Sequence, residues 1–492
     1  MSTDAISTAL SGLRVTQQAL DLTAANVANA QVEGYTRKIL PQESLVIGER
    51  GVGVRSGQIQ RYVNNALLRD YRTQIGVETS LSVRESYLSR IQSFHGSADR
   101  ETNLASRLNA LASSFTTLSA TPNSITVQQT VVDSADNLAK EFNKFGNFLV
   151  QLRGEVQESI STEVANINLQ LNTITDYNKR IQQLKFLDSA TATLEDQRDI
   201  ALKKLSEQMD ISYYEDGNGL LTVQTGGGQI LADDQAHLLT FNDSSITFAS
   251  SYPDTLSGVT LAANTGGSFD LTSNVGGKLG ALLGLRDKEL PTYMGQLDEL
   301  AHKIASRFDA QGVRLFTNSY GVVPANTPNQ YVGFSLDMQV NPTVLANAAL
   351  VQQGTSGPSI DTGSTAVIDK IINFTFGRYQ DDSGTPHPEF TMINNGPGGT
   401  ISFTGLTSPN SSLDEFARAM LGRQAEDHSL INTQLTTEKA YTQDVQKRLL
   451  DGSAVSTDEE MARLIELQRH YTASAKIINA LDDLFKDLLN AF

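Results

Sequence analysis

A chain of 492 residues that is 39% hydrophobic and 19% charged has the composition of folded domains, with room for several at roughly 100–200 residues each. Its 55 acidic residues outnumber 38 basic ones, a formal net charge of −17 with no run of Lys or Arg, which argues against nucleic acid or an anionic membrane as the main partner. The absence of cysteine excludes disulfides, thiolate metal sites and cysteine nucleophiles, and no apolar stretch reaches the roughly 20 residues of a membrane span.

The start, Met1-Ser2-Thr3-Asp4, has no basic residue before Arg14 and no apolar signal core, so a protein destined for the outside is expected to use a dedicated exporter. Residues 3–30 carry a repeat of Ile6, Leu10, Leu13, Gln17, Leu20, Ala24 and Val27, whose alternation of four and three predicts a coiled-coil seam. Asn29 and Gly34 mark its exit. Residues 31–59, with Pro41 and four glycines after it, read as an extended or β-like connector. Helical periodicity resumes near Asn64 and runs to about Leu187, broken at Thr121-Pro122-Asn123. The second of these helices, Ile125 to Leu187, is long enough to require lateral pairing.

Residues 188–411 change character. Alternating residues around Asp216-Gly217-Asn218-Gly219 predict a β-hairpin, and the 210–275 region is expected to lie outside both terminal seams. A helical insert is expected at 279–311, then Gly- and Ser/Thr-rich sequence returns. From Leu413 helix resumes, broken near Asp451-Gly452-Ser453. Thr457 to Glu460 fits a capping box. Beyond it Leu464, Tyr471, Ile478, Phe485 and Phe492 repeat every seven residues, with Leu467, Ser474, Leu481 and Leu488 three after each of the first four. This a/d seam is narrower than the stripe of an ordinary amphipathic helix.

No catalytic or metal motif emerges. His95, His237, His302, His387, His428 and His470 form no ligand spacing. Gly226-Gly227-Gly228 lacks the strand, Lys and helix of a phosphate loop. The Asp216 run lacks the alternating ligands and distal Glu of a calcium loop. Pairs such as Asp482-Asp483 read as a solvated face. The expectation is a protein without cofactor or metal, and not an enzyme.

The run Ser11-Gly12-Leu13-Arg14-Val15-Thr16-Gln17-Gln18-Ala19-Leu20-Asp21, continuing to Asn26-Val27-Ala28-Asn29 and Gly34-Tyr35-Thr36-Arg37, resembles the signature of flagellar rod, hook and hook-associated proteins. It departs from that signature in Val27 and in Val32-Glu33 ahead of Gly34. Leu464 to Tyr471 with Ala473 to Ile478 resembles their closing helix. Leu194-Glu195-Asp196-Gln197-Arg198-Asp199 and Gly276-Gly277-Lys278-Leu279-Gly280-Ala281-Leu282 with Arg286-Asp287 are similar to segments of the flagellar hook-associated protein 1 (FlgK, hook–filament junction) family.

That resemblance implies a secreted structural subunit of the bacterial flagellum, exported by the flagellar type III apparatus and assembled into a ring at the hook–filament junction. Its implied partners are copies of itself, hook protein, the second junction protein and a cytoplasmic export chaperone, with no nucleic acid and no membrane insertion. The fold expected is α+β and multidomain. Residues 1–60 and 453–492 form a terminal helical, coiled-coil domain, 61–187 and 412–452 a long-helix domain, and 188–411 a β-rich outer domain. Self-association is expected through Ile6, Leu10, Leu13, Leu20, Val27, Leu464, Leu467, Tyr471, Ile478, Leu481, Phe485 and Leu488, with Ser11, Gly12, Leu13, Asn26, Asn29, Gly34 and Tyr35 as family motif. The rival readings are another flagellar axial protein, such as a hook or distal rod subunit, and a secreted coiled-coil adhesin.

Overall fold

The computed structural model describes residues 2–47, 50–96, 103–262, 267–272, 275–326, 330–357, 360–390, 395–396, 399–400, 406 and 410–490. Helix α1 (Ser2–Asn29) is followed by β1 (Lys38–Ile39), β2 (Gln42–Ile47), β3 (Arg50–Ser56) and β4 (Gln60–Arg61), paired antiparallel as β2–β3 and β1–β4. Three helices come next: α2 (Asn65–His95), α3 (Leu104–Ala120) and α4 (Ile125–Phe186). Each starts on a side-chain cap. Asn64, Asn103 and Ser124 accept a hydrogen bond from the backbone N–H three residues on, satisfying a donor the helix leaves open.

Helix α5 (Ala192–Gln208) leads into small sheets: β5 (Ile211–Glu215), β6 (Leu221–Thr225) and β7 (Ile230–Ala232), then β8 (Leu239–Phe241), β9 (Val259–Ala262) and β10 (Ser268–Asp270). Helix α6 (Gly277–Gly284) passes through one π-helical turn into α7 (Leu290–Ala310). Short elements follow: β11 (Phe316–Thr317), α8 (Phe334–Asp337), β12 (Gln339–Val340), α9 (Pro342–Ala346), α10 (Leu350–Gln353), α11 (Ala366–Lys370), β13 (Asn395–Gly396) and β14 (Gly399–Thr400). The long helices α12 (Leu413–Ser453) and α13 (Thr457–Asn490) complete the order.

At 62 residues, α4 is about 93 Å long. Its buried residues, among them Val131, Leu138, Phe142, Phe145, Leu149, Leu152, Ile160, Ile167 and Ile174, recur every three or four positions along most of that length. They are covered in turn by α3, α8, α7, α6, β8 and α5, so the helix rests on packing and not on propensity. One hydrophobic core runs from α2 and α3 through α4, both three-stranded sheets and α7 to α12.

That continuity alters the expected picture of residues 188–411. The segment opens with α5, packed on α4 and α2, and among its described residues the strands are at most five residues long. Residues 210–275 are not appended to the outside: Val223, Leu231 and Val259 are fully buried in the shared core. Gly- and Ser/Thr-rich sequence marks turns whether they join strands or helices, and composition cannot tell which core the strands enter. The expected capping box at Thr457 is not formed. Ser456 Oγ accepts from Glu459 N–H at 3.4 Å instead, and Glu460 is drawn elsewhere. The reciprocal box occurs at Ser412 and Glu415, at the start of α12.

Candidate functional site

Helix α1 pairs with α13, and its other side carries the β2–β3 hairpin. On α13 the covered positions are Leu464, Leu467, Tyr471, Ser474, Ala475, Ile478 and Leu481; every other side chain from 461 to 484 is exposed. The period-seven seam therefore faces α1, while the side chains of Phe485 and Leu488, and the whole of Phe492, lie outside the described residues. On α1, Ile6, Leu13, Leu20 and Val27 are half-buried, but Leu10 is 41% exposed and Gln17 and Ala24 also face solvent. Ala9, Thr16 and Thr23 hold the intervening covered positions. A second covered stripe, Ser11, Val15, Ala19, Leu22 and Asn26, adjoins it. A helix flanked on two sides favours small residues at close approach, so reading the seam by bulk alone selects Leu10 over Ala9.

The family motif is used for polar contacts within the chain. Ser11 Oγ donates to the Thr8 carbonyl at 2.8 Å and accepts from Val54 N–H at 3.1 Å, fastening β3 to α1. Gly12 has open space where a Cβ would stand. Asn29 Nδ2 donates back to the Ala25 carbonyl at 2.8 Å. Asn26, 1% exposed, takes the place of a strand partner: Nδ2 donates to the Lys38 carbonyl at 2.9 Å and Oδ1 accepts from Lys38 N–H at 3.2 Å. Oδ1 also accepts from Tyr35 Oη at 2.9 Å. Gly34 sits at φ 77°, and a Cβ there would come 2.5 Å from Ile200 Cγ1, so the position requires glycine.

Around Asn26 lies a buried knot of charge that joins four parts of the chain. Glu460, at the first turn of α13, accepts from Asn26 Nδ2 at 3.1 Å and from Arg37 Nε at 2.7 Å. Asp196 on α5 accepts from Thr36 Oγ1 at 2.6 Å, Lys38 Nζ at 2.7 Å and Arg61 Nη1 at 3.1 Å. Asp199, one turn on, binds Arg61 at 2.7 Å and Arg72 of α2 at 2.8 Å, while Glu195 meets Arg61 at 3.2 Å. Lys38 Nζ also stands 3.5 Å over the Tyr35 ring. Four cations thus meet four carboxylates across α1, β1, β4, α2, α5 and α13. Burial acts to raise the Asp199 carboxyl, but Arg72 and Arg61 outweigh it and hold it below its ordinary value. Burial, then Asp196 and Glu460, push the Tyr35 phenol up, so it remains a donor.

The remaining similar segments orient the frame. Arg198 turns away from the knot to Asn178 Oδ1 at 3.0 Å and the Gly219 carbonyl at 2.8 Å, anchoring the β5–β6 hairpin to α4. Gly276 and Gly277 have φ of 59° and 56°, and a Cβ on Gly277 would come 2.7 Å from the Gln208–Met209 backbone. Arg286 is fully buried on Asp287 and Gln157. Sequence reasoning missed Lys38, Arg61, Arg72 and Glu460 as members of the knot. The partners stand up to 434 positions apart, and Glu460 already had a local explanation as a cap. The one available signal was the density of charge in the segment 194–199. Among the described residues no group of three or more His, Asp or Glu side chains is placed to hold a metal, and the knot's carboxylates are committed to cations.

Paired terminal helices locked to a long-helix body are the frame of a structural subunit, and the comparisons that follow place that subunit in the flagellar axis. Family models match three stretches: the flagellar hook-associated protein FlgK helical domain at 88–318, the C-terminal region of the flagellar basal body rod FlgEFG proteins at 446–491, and the flagella basal body rod protein at 6–36. The flagellar hook-associated protein 1 of Bacillus subtilis is 25% identical, over 99% of this chain and 97% of its own. Those of Salmonella typhimurium and Escherichia coli are 22% and 21% identical, each over 99% of both chains. The structure of the flagellar hook junction protein FlgK from Burkholderia pseudomallei is 25% identical with a TM-score of 0.43, over 52% of this chain and 45% of that one. Over nearly its full length the chain is similar to the flagellar hook-associated protein 1 family.

Proposed function

We propose that this subunit is secreted through the flagellar type III apparatus and joins copies of itself into a ring by its terminal helices. In that ring it meets hook protein on one side and the second junction protein on the other, after a cytoplasmic chaperone has released its C-terminal helix. The observation that carries this reading is the contrast between the two halves of the terminal module. Its inner end is tied down by the charge knot. Its helices leave Leu10, Met461, Ile465, Ile477 and Leu484 between 41% and 61% exposed, apolar surface suited to a neighbouring copy.

The test is complementation of a deletion strain, which should make hooks without filaments. The wild-type chain should restore filaments, whereas Ile477→Asp with Leu484→Asp should be secreted, keep the body's thermal transition and leave hooks bare. Filaments of normal number from that double variant would refute assembly through these faces.

A further inference from the structure

Apart from the knot, the protein has a second concentration of buried positive charge, and it opens on a cavity. The cavity, about 610 Å³, lies between α7, α11 and the 374–388 segment, within the ordinary size of a small-molecule pocket. Lys303 and Arg307 stand one turn apart on α7, 5% and 4% exposed, and both line it. Among the described residues the carboxylate that serves both is Glu299: it is 3.6 Å from Lys303 Nζ and also accepts from Tyr331 Oη at 2.8 Å. Among the described residues Arg307 otherwise reaches the carbonyl oxygens of Gly377 at 3.4 Å and Ser411 at 3.2 Å and lies 5.2 Å over the Phe390 ring, while its buried Nε makes no hydrogen bond. Two buried cations sharing one carboxylate leave a positive charge uncompensated, in a molecule whose net charge is −17. Burial accordingly pushes both side chains below their ordinary pKa values, Arg307 to about 10. Lys370 adds a third cation at the mouth.

The rest of the lining narrows the ligand. His302 and His387 are held by burial in the neutral form, the latter at about 4, so they add hydrogen bonds and no charge. Asp381 and Asp382 line the outer part, and hydrogen bonds from Ser383 keep Asp381 ionised. A compact, multiply charged anion is repelled by those carboxylates, whereas hydroxyl groups can donate to them. Phe374 and Pro388 give an apolar wall, and Gln311 supplies an amide.

We propose that this cavity binds an acidic monosaccharide, with its single carboxylate on the Lys303–Arg307 side and its hydroxyls toward Asp381, Asp382 and Gln311. The probes are D-glucuronate, D-glucose and inorganic phosphate, titrated calorimetrically into the full-length chain. Glucuronate should bind saturably, and glucose, which lacks the carboxylate, about tenfold or more weaker, as loss of a charge-assisted contact requires. Phosphate should bind more weakly than glucuronate. Lys303→Met should abolish binding with the melting profile checked, and the exposed Lys370→Gln, which leaves the packing intact, should weaken it by about threefold to tenfold. No saturable binding of glucuronate, equal binding of glucose, phosphate binding as tight as glucuronate, or indifference to Lys370→Gln would each overturn the assignment.

Discussion

Asparagine at position 196 keeps the shape of the aspartate and removes its charge from the centre of the knot. Asp196 is 3% exposed at its side chain, and Lys38, 5% exposed, has it as ion-pair partner. Arg61 keeps Asp199 and Glu195, so the change chiefly strands Lys38. Breaking a buried pair by removing one member costs about 3–5 kcal/mol. The residual oxygen of asparagine and the Tyr35 ring beneath Lys38 place Asp196→Asn at the lower end. At 1.4 kcal/mol per decade, about 3 kcal/mol raises the detached population of the terminal module roughly a hundredfold. The loss is local, because the knot lies outside the main core. Hydrogen exchange should therefore accelerate in 6–40 and 457–481 while α4 and α7 keep their protection. Lys38→Met in the same chain should recover much of the loss, since it removes the stranded charge. Unchanged exchange at the termini, or a coupling between positions 38 and 196 below about 0.5 kcal/mol, would refute the view of the knot as a lock.

Asn26→Ala strips partners from both backbone groups of Lys38 and should cost about 2–4 kcal/mol, read as protease cleavage between α1 and β1. Gly277→Ala forces a Cβ against the Gln208–Met209 backbone at positive φ and should lower global stability by at least about 1–3 kcal/mol in urea denaturation. The folded pKa of Asp199 lies below its unfolded value, so its contribution is complete above about pH 4 and fades as pH falls through the folded value. Terminal protection, corrected for intrinsic exchange, should drop on that acid side, and Arg61→Gln should shift the drop to higher pH. Leu467→Asp buries a charge in the seam and should free α13 by about 3 kcal/mol or more, seen as trimming beyond residue 457 with the body left intact.

Periodicity made the helices readable because a 3.5- or 3.6-residue repeat is a local property. The α13 seam carries it, and the break at 121–123 and the hairpin around Asp216 are equally local turn signals. Where two local explanations compete, the reading fails at a specific residue. Leu10 outweighs Ala9 in hydrophobicity, yet close packing selects Ala9. Glu460 sits three residues after Thr457, yet a distant arginine and an amide draw it away from the cap. The knot itself was not legible, since nothing within a window of residues 190–200 shows that Lys38, Arg61 and Arg72 will surround Asp196 and Asp199. Nor was the depth of residues 210–275, because short strands look alike in sequence whether they cover a core or hang from it.

The hydrogen bond between Asn26 and Glu460 spans 434 positions of sequence. At about 5–20 residues per second, a ribosome needs roughly 20 to 90 seconds to travel from one to the other. Throughout that interval helix α1 has neither α13 beside it nor the carboxylate that fastens its end. The body between them needs neither terminal helix for its core, so it is free to condense first. Every newly made molecule therefore passes through a stage in which the beginning of the chain is still waiting for its other half.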